Sequence, residues 1–289
     1  IVQDVDRVLM SALANLAGLY PPTGYQIWNF MILWQPVPVH TQPRDEDYLL
    51  AANRRCDRFD YFMLQFMNTS AYTDLFTKYR SLINYVEINS GTKIRTITDI
   101  NDIHDTLFVE RLKGFRLPDW AEKVMVPGGD FEYLAFNWLA IFTQMTEQKR
   151  LKSGWLLKEI LDHCTSKIRS TLSPNRSIFM YFGHDITLGN MLNSLGLFQP
   201  LHVPPYASCL LFELYEGNGH PYLQLFYRRY LNDNNPQPLF IPDCGLKCPL
   251  SSWYEKYKDI LPTQSFPDEC RLRPGETLPP DGNPENNSL

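Results

Sequence analysis

No apolar run in the 289 residues approaches the roughly 18–20 needed to cross a bilayer, so nothing in the sequence reads as a transmembrane segment. No stretch is crowded with lysine or arginine, and the net charge is −5 with a pI near 5.7. A chain of that sign is not built to hold nucleic acid or an anionic membrane surface. The six cysteines, Cys56, Cys164, Cys209, Cys244, Cys248 and Cys270, include no Cys-x-x-Cys pair of the zinc-binding kind. There is no internal repeat. The given start does not read as a signal peptide, because Ile1-Val2-Gln3-Asp4 is neither basic nor followed by a clean apolar core. The chain also has no initiator methionine and opens directly into a helical pattern, which predicts a piece of a longer protein.

What is present suits a packed globular body. Hydrophobic residues make up 44% of the chain, and the length allows one large or two modest domains. Three glycosylation sequons occur, at Asn68, Asn175 and Asn286. Together with an even cysteine count they point to an oxidising compartment on the secretory route.

The stretch around which the chain is organised runs from Ser177 to Asn190. Residues 178–182, Ile-Phe-Met-Tyr-Phe, form a continuous apolar run of the kind found in strands buried on both faces. Gly183 permits a tight turn, His184 and Asp185 sit on it, and Thr187 is the expected cap of a helix over 188–195. A strand that feeds a helix in this way delivers its last residues to the carboxyl edge of a sheet, where open α/β folds bind ligands. The helix start adds free N–H groups and partial positive charge, which favour an anion. An imidazole and a carboxylic acid at such a place can neutralise a phosphate oxygen and move a proton. Taken alone, an Asp ahead of a helix is more often a plain cap, and a His at a strand end is more often structural.

Along the chain, Asp4 is the expected N-cap of a helix over 4–19, with Val5, Leu9, Leu13 and Leu16 on its apolar face. Trp28, Phe30, Ile32 and Trp34 alternate as in a strand, before Pro36, Pro38 and Pro43 break the pattern. Residues 46–170 read as mostly helical, with Leu117-Pro118-Asp119-Trp120 as a turn carrying an aromatic anchor. Residues 208–215 and 222–230 read as a hairpin around a turn at 216–220. The division expected is 1–45 as part of an α/β core, 46–170 as a helical lobe, 171–272 as the rest of the core with a cysteine-bearing tail, and 273–289 as a disordered end. Residues 178–182 are expected as an interior strand between 208–215 and 28–34.

Several of these stretches resemble the histidine acid phosphatases of the prostatic and lysosomal type, insect relatives included. Asp4-Val5-Asp6-Arg7 with Met10-Ser11, Pro21-Pro22, Ile27-Trp28-Asn29, the run Leu33-Trp34-Gln35-Pro36-Val37-Pro38-Val39-His40-Thr41, Leu117-Pro118-Asp119-Trp120, Gly183-His184-Asp185, Pro204-Pro205-Tyr206-Ala207-Ser208-Cys209 and Cys248-Pro249-Leu250 appear in the family's order. The resemblance implies an α/β histidine-phosphatase-like sheet flanked by helices, a second, mostly helical lobe, and hydrolysis of phosphate monoesters through a phosphohistidine. It implies His184 as a phosphate contact and Asp185 as the proton donor to the leaving alcohol. It implies disulfides Cys56–Cys270 and Cys244–Cys248. Val109 stands where the family has the partner of Cys209, which leaves Cys164–Cys209 as an open third pair. It further implies a small phosphomonoester or phosphopeptide substrate, no cofactor or metal, a secreted or lysosomal location, and a homodimer.

The family's nucleophile lies in an Arg-His-Gly-x-Arg motif. None of His40, His104, His163, His184, His202 and His220 follows Arg and precedes Gly, and Ile1 stands where the family has a further Arg. The expectation is therefore a fragment without the nucleophilic strand and its arginine cluster, inactive by itself. The rival expectation is a member of the same family that has lost catalysis and acts as a secreted glycoprotein ligand. An upstream Arg-His-Gly-x-Arg would decide for the first.

Overall fold

Residues 1–50, 54–217, 219–280 and 282 are described by the computed structural model. Strand β1, Val2–Gln3, leads into helix α1, Asp6–Leu19, and pairs in parallel with β2, Thr41–Gln42. Val5 is the N-cap of α1, with no side chain capping the helix, so the role expected of Asp4 is not taken up. The buried stripe is Val8, Ala12 and Leu16, while Leu13 is exposed. The stripe is thus rotated from the one expected, because it must face β1 and Phe182, which pack with it.

Residues 28–34 are not a strand. A 3₁₀ turn at Gly24–Gln26 precedes them, the Asn29 side chain accepts from the N–H of Met31, and the Trp28 indole donates to the carbonyl of Trp34. Those local bonds close the segment on itself as a loop. Trp28, Phe30, Met31 and Leu33 are accordingly exposed. Alternation signals two different faces, but it does not supply the neighbouring strand that would use them.

The described part of residues 46–170 is mostly helical. It comprises α2 (Asp57–Met67), α3 (Ser70–Lys78), α4 (Arg80–Ser90), α5 (Ile97–Leu112), α6 (Asp119–Val124), α7 (Asp130–Phe136), α8 (Trp138–Ile141), α9 (Thr146–Lys149), a π-helical turn at Arg150–Gly154, and α10 (Trp155–Ile168). Phe59, Met63, Ile97, Ile100, Leu117, Phe131 and Phe142 are almost fully buried in its core. Thr96 starts α5 with a reciprocal capping box to Asp99, and Pro118 stands at the N-cap of α6. At Gly154 a Cβ would lie 2.0 Å from the carbonyl oxygen of Ile260, so only glycine lets the chain after the lobe pass this close.

Beyond α10, residues 178–182 run extended to α11 (Asp185–Ser194). They are not the interior strand that the apolar run suggests. Phe182 makes one parallel bridge to Val2, and Ile178 is 61% exposed. The side toward residues 1–3 is bonded, and among the described residues no strand covers the other side. Neither 28–34 nor the later hairpin reaches it. The hairpin forms a separate antiparallel sheet, β3 (Cys209–Gly217), β4 (His220–Arg228) and β5 (Gln237–Leu239), with β6 (Cys248–Pro249) also on β4. Pairing continues to Gly217↔His220, so the turn is tighter than the five residues expected, and Gly219 occupies the left-handed region it requires. Helices α12 (Leu250–Tyr257) and α13 (Phe266–Cys270) complete the chain.

Two disulfides form as the resemblance implies. Cys56–Cys270 joins the start of α2 to α13 across 214 residues, and Cys244–Cys248 spans four. Beside the first, Arg58 Nε lies 3.3 Å from Glu276 and its Nη1 lies 3.8 Å from Glu269, so a buried cation ties α2 to the end of the chain. Glu276 thus anchors part of the stretch expected to be disordered, while Asn286 lies outside the described residues. The third pair does not form. Cys164 on α10 packs against a buried cluster that includes Leu161 and Trp253, Cys209 opens β3 beside Arg228, and both remain half-buried thiols. Burial pushes the Cys164 thiol up to about 11. Asn68 and Asn175 are exposed.

Two stability predictions follow from this core. Replacing Cys56 and Cys270 by serine should cost about 5 kcal/mol in a urea titration, against about 2 kcal/mol for Cys244 and Cys248, because loop-closure entropy grows with the length enclosed. His104, stacked among Phe108, Phe131 and Phe136, is held neutral by burial and by Arg111, with its pKa lowered to about 4. The unfolded chain binds that proton from pH 6.5 downward, so stability is complete above 6.5 and falls as pH drops toward 4, by ~3 kcal/mol. His104→Phe should flatten the melting temperature across that window.

Candidate active site

The turn from 178–182 into α11 is set by one close approach. A Cβ at residue 183 would lie 2.8 Å from the Thr187 hydroxyl, so any larger residue would push that hydroxyl away. With that space free, Thr187 Oγ1 accepts from the N–H of His184 at 3.2 Å. The helix therefore starts earlier than the sequence suggested. His184 is its N-cap and Asp185 its first residue, while Thr187 serves from the third position. One Asp185 carboxylate oxygen accepts from the N–H of Ile186 at 2.7 Å.

This places both candidate side chains at the positive end of a ten-residue helix. His184 is half-buried and its pKa is lowered, first by burial and then by the positive charges of Arg7 and Arg44. Arg7 is in the first turn of α1, and Arg44 follows β2. Asp185 behaves in the opposite sense. The residue is exposed by surface area, yet many protein atoms surround its carboxyl, and burial pushes the pKa up. The Asp105 carboxylate on α5 adds to this, while the Ile186 N–H and Arg7 oppose it. Both groups are thus biased toward their neutral forms: an uncharged imidazole and a protonated acid.

Sequence reasoning placed neither Arg7 nor Arg44 nor Asp105 at this turn. Arg7 stood in a quoted motif, and Arg44 lies four residues beyond His40 of another. Nothing in their spacing showed that the starts of α1 and α11 converge. The other histidines go elsewhere. His40 gives its carbonyl to Val2, and His104 is in the helical core. His163 stacks on Phe179, and His220 opens β4. His202 lies 2.9 Å from the carbonyl of Pro200 through Nδ1, so that nitrogen carries the proton and Nε2 accepts from Tyr227 at 3.1 Å. Among the described residues no group of three or more His, Cys, Asp or Glu is arranged to hold a metal. A cavity of about 30 Å³ lies behind α11, against Lys152, Ser153, Thr187 and Asn190, and includes neither His184 nor Asp185. Burial pushes the Lys152 amine there down to about 8.

Residues 3–228 match the sequence profile of the histidine phosphatase superfamily (branch 2). The chain belongs to the histidine phosphatase superfamily. It is 36% identical to the prostatic acid phosphatase of Rattus norvegicus, over 92% of this chain and 70% of that protein. It is 36% identical to that of Homo sapiens, over 92% of this chain and 69% of that protein. The lysosomal acid phosphatase of Homo sapiens is 34% identical, over 94% of this chain and 64% of that protein. The match to this superfamily spans both the helical lobe and the 178–194 turn, so the family's hydrolase chemistry is the frame in which His184 and Asp185 are read.

The electrostatic assignment is directly measurable. Both Arg7 and Arg44 lower the His184 pKa, so Arg7→Gln and Arg44→Gln should each raise it toward the ordinary value. Arg7→Gln should also push Asp185 further up, since the same charge now favours its carboxylate. A pH titration of the side chains by NMR reads both; an unmoved His184 would mean that the arginines do not face it in solution.

Proposed function

We propose that these residues carry out phosphate-monoester hydrolysis at acid pH through a phosphohistidine, with His184 holding a phosphate oxygen and Asp185 supplying the proton. The observation that carries this reading is the opposed bias of the two groups at one helix N-terminus, under the charges of Arg7 and Arg44. A protonated Asp185 can give its proton to the ester oxygen as the P–O bond breaks and a histidine nitrogen bonds to phosphorus. The resulting carboxylate can then take a proton from the water that cleaves the phosphohistidine. The helix N–H groups, His184 and the two arginines offset the charge that gathers on the phosphoryl oxygens.

No histidine of this sequence occupies an Arg-His-Gly-x-Arg motif, and the nucleophile is assigned to none of the six. Substrates are small phosphomonoesters or phosphopeptides, and the disulfides and exposed sequons support a secreted or lysosomal setting.

The 289-residue chain should show no p-nitrophenyl phosphate turnover at pH 5. In a longer natural product that carries the motif, Asp185→Asn should cost about 10²–10⁴-fold with alkyl phosphates and less with aryl phosphates, whose leaving oxygen needs less help. His184→Ala should weaken every substrate alike. Turnover by the 289-residue chain that His184→Ala abolishes would mean that the nucleophile has been misplaced. Absence of turnover in every natural form would favour the rival glycoprotein ligand.

A further inference from the structure

The segment that delivers His184 and Asp185 is held on three sides. Its edge is bonded to residues 1–3: Phe182 N–H donates to the carbonyl of Ile1, and Gln3 N–H donates to the carbonyl of Phe182, both at 3.0 Å. Phe182 packs against Val2, Val8 and Ala12. The alternate residues, Phe179 and Tyr181, meet α10. The His163 ring lies flat on Phe179, with centroids 3.9 Å apart and 12° between planes. The Tyr181 hydroxyl donates to Glu159 at 2.7 Å and lies 3.2 Å from His163 Nδ1. Because Tyr181 has one proton and gives it to Glu159, its oxygen is left to accept, and His163 Nδ1 must be the donor.

Glu159 and His163 are one helical turn apart on α10, so a single face of that helix grips two successive residues on the same side of the extended chain. Burial and Glu159 together raise the Tyr181 pKa, so its proton stays in place. The order of bonds, imidazole N–H to tyrosine oxygen and tyrosine O–H to carboxylate, is satisfied by neutral and by charged His163 alike. Tyr181 is three residues ahead of His184, and only Phe182 and Gly183 separate them. Gly183 has no side chain to anchor it, so on its N-terminal side the turn takes its position from the residues before it, as it does from Thr187 on the other.

We propose that Glu159, Tyr181 and His163 form a positioning relay that fixes the height of the His184–Asp185 turn above α10, and thereby the affinity of the site for the phosphate group. This rests on the phosphatase reading for its ligand, but not for its geometry. None of the three touches the reacting atoms.

The test compares the 289-residue chain with Tyr181→Phe, Glu159→Ala and Glu159→Gln. Amide exchange is followed at residues 182–184 and along α10, and orthophosphate is titrated against the His184 imidazole resonances by NMR. Tyr181→Phe keeps the ring and removes the hydroxyl, so exchange at 182–184 should quicken about tenfold while the amides of α10 keep their protection. Orthophosphate affinity should fall about tenfold with little change in melting temperature. Glu159→Ala should do the same. Glu159→Gln, which still offers an oxygen to the tyrosine, should restore most of both. Unchanged exchange and affinity in Tyr181→Phe would overturn the relay, as would loosening spread evenly over α10. If the parent chain does not bind orthophosphate, the phosphatase reading fails for this chain, and exchange at 182–184 still decides the relay.

Discussion

The gap between the Cα of residue 183 and the hydroxyl of Thr187 is too small for a side chain, and the candidate site depends on it. The Thr187 hydroxyl reaches the His184 N–H only because nothing stands between them. That bond makes His184 the cap and Asp185 the first helical residue, instead of leaving both on a loop ahead of a helix begun at Thr187. A residue at the cap has extended backbone and projects away from the helix axis, whereas the first helical residue turns with it. Two adjacent side chains are thereby held at the same helix end. Had the helix begun three residues later, neither would hold a fixed position relative to the helix end.

Much of this was legible in the sequence, for reasons that can be traced to particular residues. The helical lobe was readable because its aromatic and aliphatic positions recur along runs long enough to separate a period of 3.6 from a period of 2. The hairpin was readable because Gly217-Asn218-Gly219 lies between two alternating runs. Residues 28–34 and 178–182 misled for a shared reason. Both carry the composition of strands, but a strand is defined by a partner, and composition is silent about partners. In 28–34 the Asn29 side chain and the Trp28 indole offered local bonds that win over distant pairing. In 178–182 the continuous apolar run reports two faces that suit burial, while the chain supplies α10 to one face and residues 1–3 to one edge. His184 and Asp185 were found by their turn. Arg7, Arg44 and Asp105 were not, because their nearness comes from how α1, β2 and α5 converge, and no spacing along the chain encodes that.

Two features of the fold respond to acid in different ways, which bears on the acidic conditions proposed for the site. Around α13, covalent and ionic links coincide: the Cys56–Cys270 bridge, and Arg58 between Glu269 and Glu276. A disulfide does not respond to protons, whereas a buried ion pair loses its attraction once a carboxylate is protonated and its arginine stays charged. The disulfide limits how far α2 and α13 can separate when the pair weakens. His104, buried among phenylalanines, is the opposite case, a group whose neutrality the fold demands and acid disfavours.

Electrostatics at the turn follow the same logic, but there the tension serves the chemistry. Burial is the first cause of both shifts, lowering His184 and raising Asp185. Each group is driven toward the form that carries no charge, while Arg7 and Arg44 keep the surroundings positive. An anion entering this setting meets cations whose fields are not cancelled by the carboxyl of Asp185 when that group is protonated. A bound phosphate then acts on both neighbours in one direction, since negative charge raises the pKa of an imidazole and of a carboxylic acid alike. On the proposed reading, His184 gains a proton and becomes a stronger donor to the phosphoryl oxygen, and Asp185 holds its proton more firmly until the ester oxygen develops charge of its own. In the proposed reaction the ligand thus completes the protonation pattern, and the fold contributes the crowded turn in which that rearrangement of protons takes place.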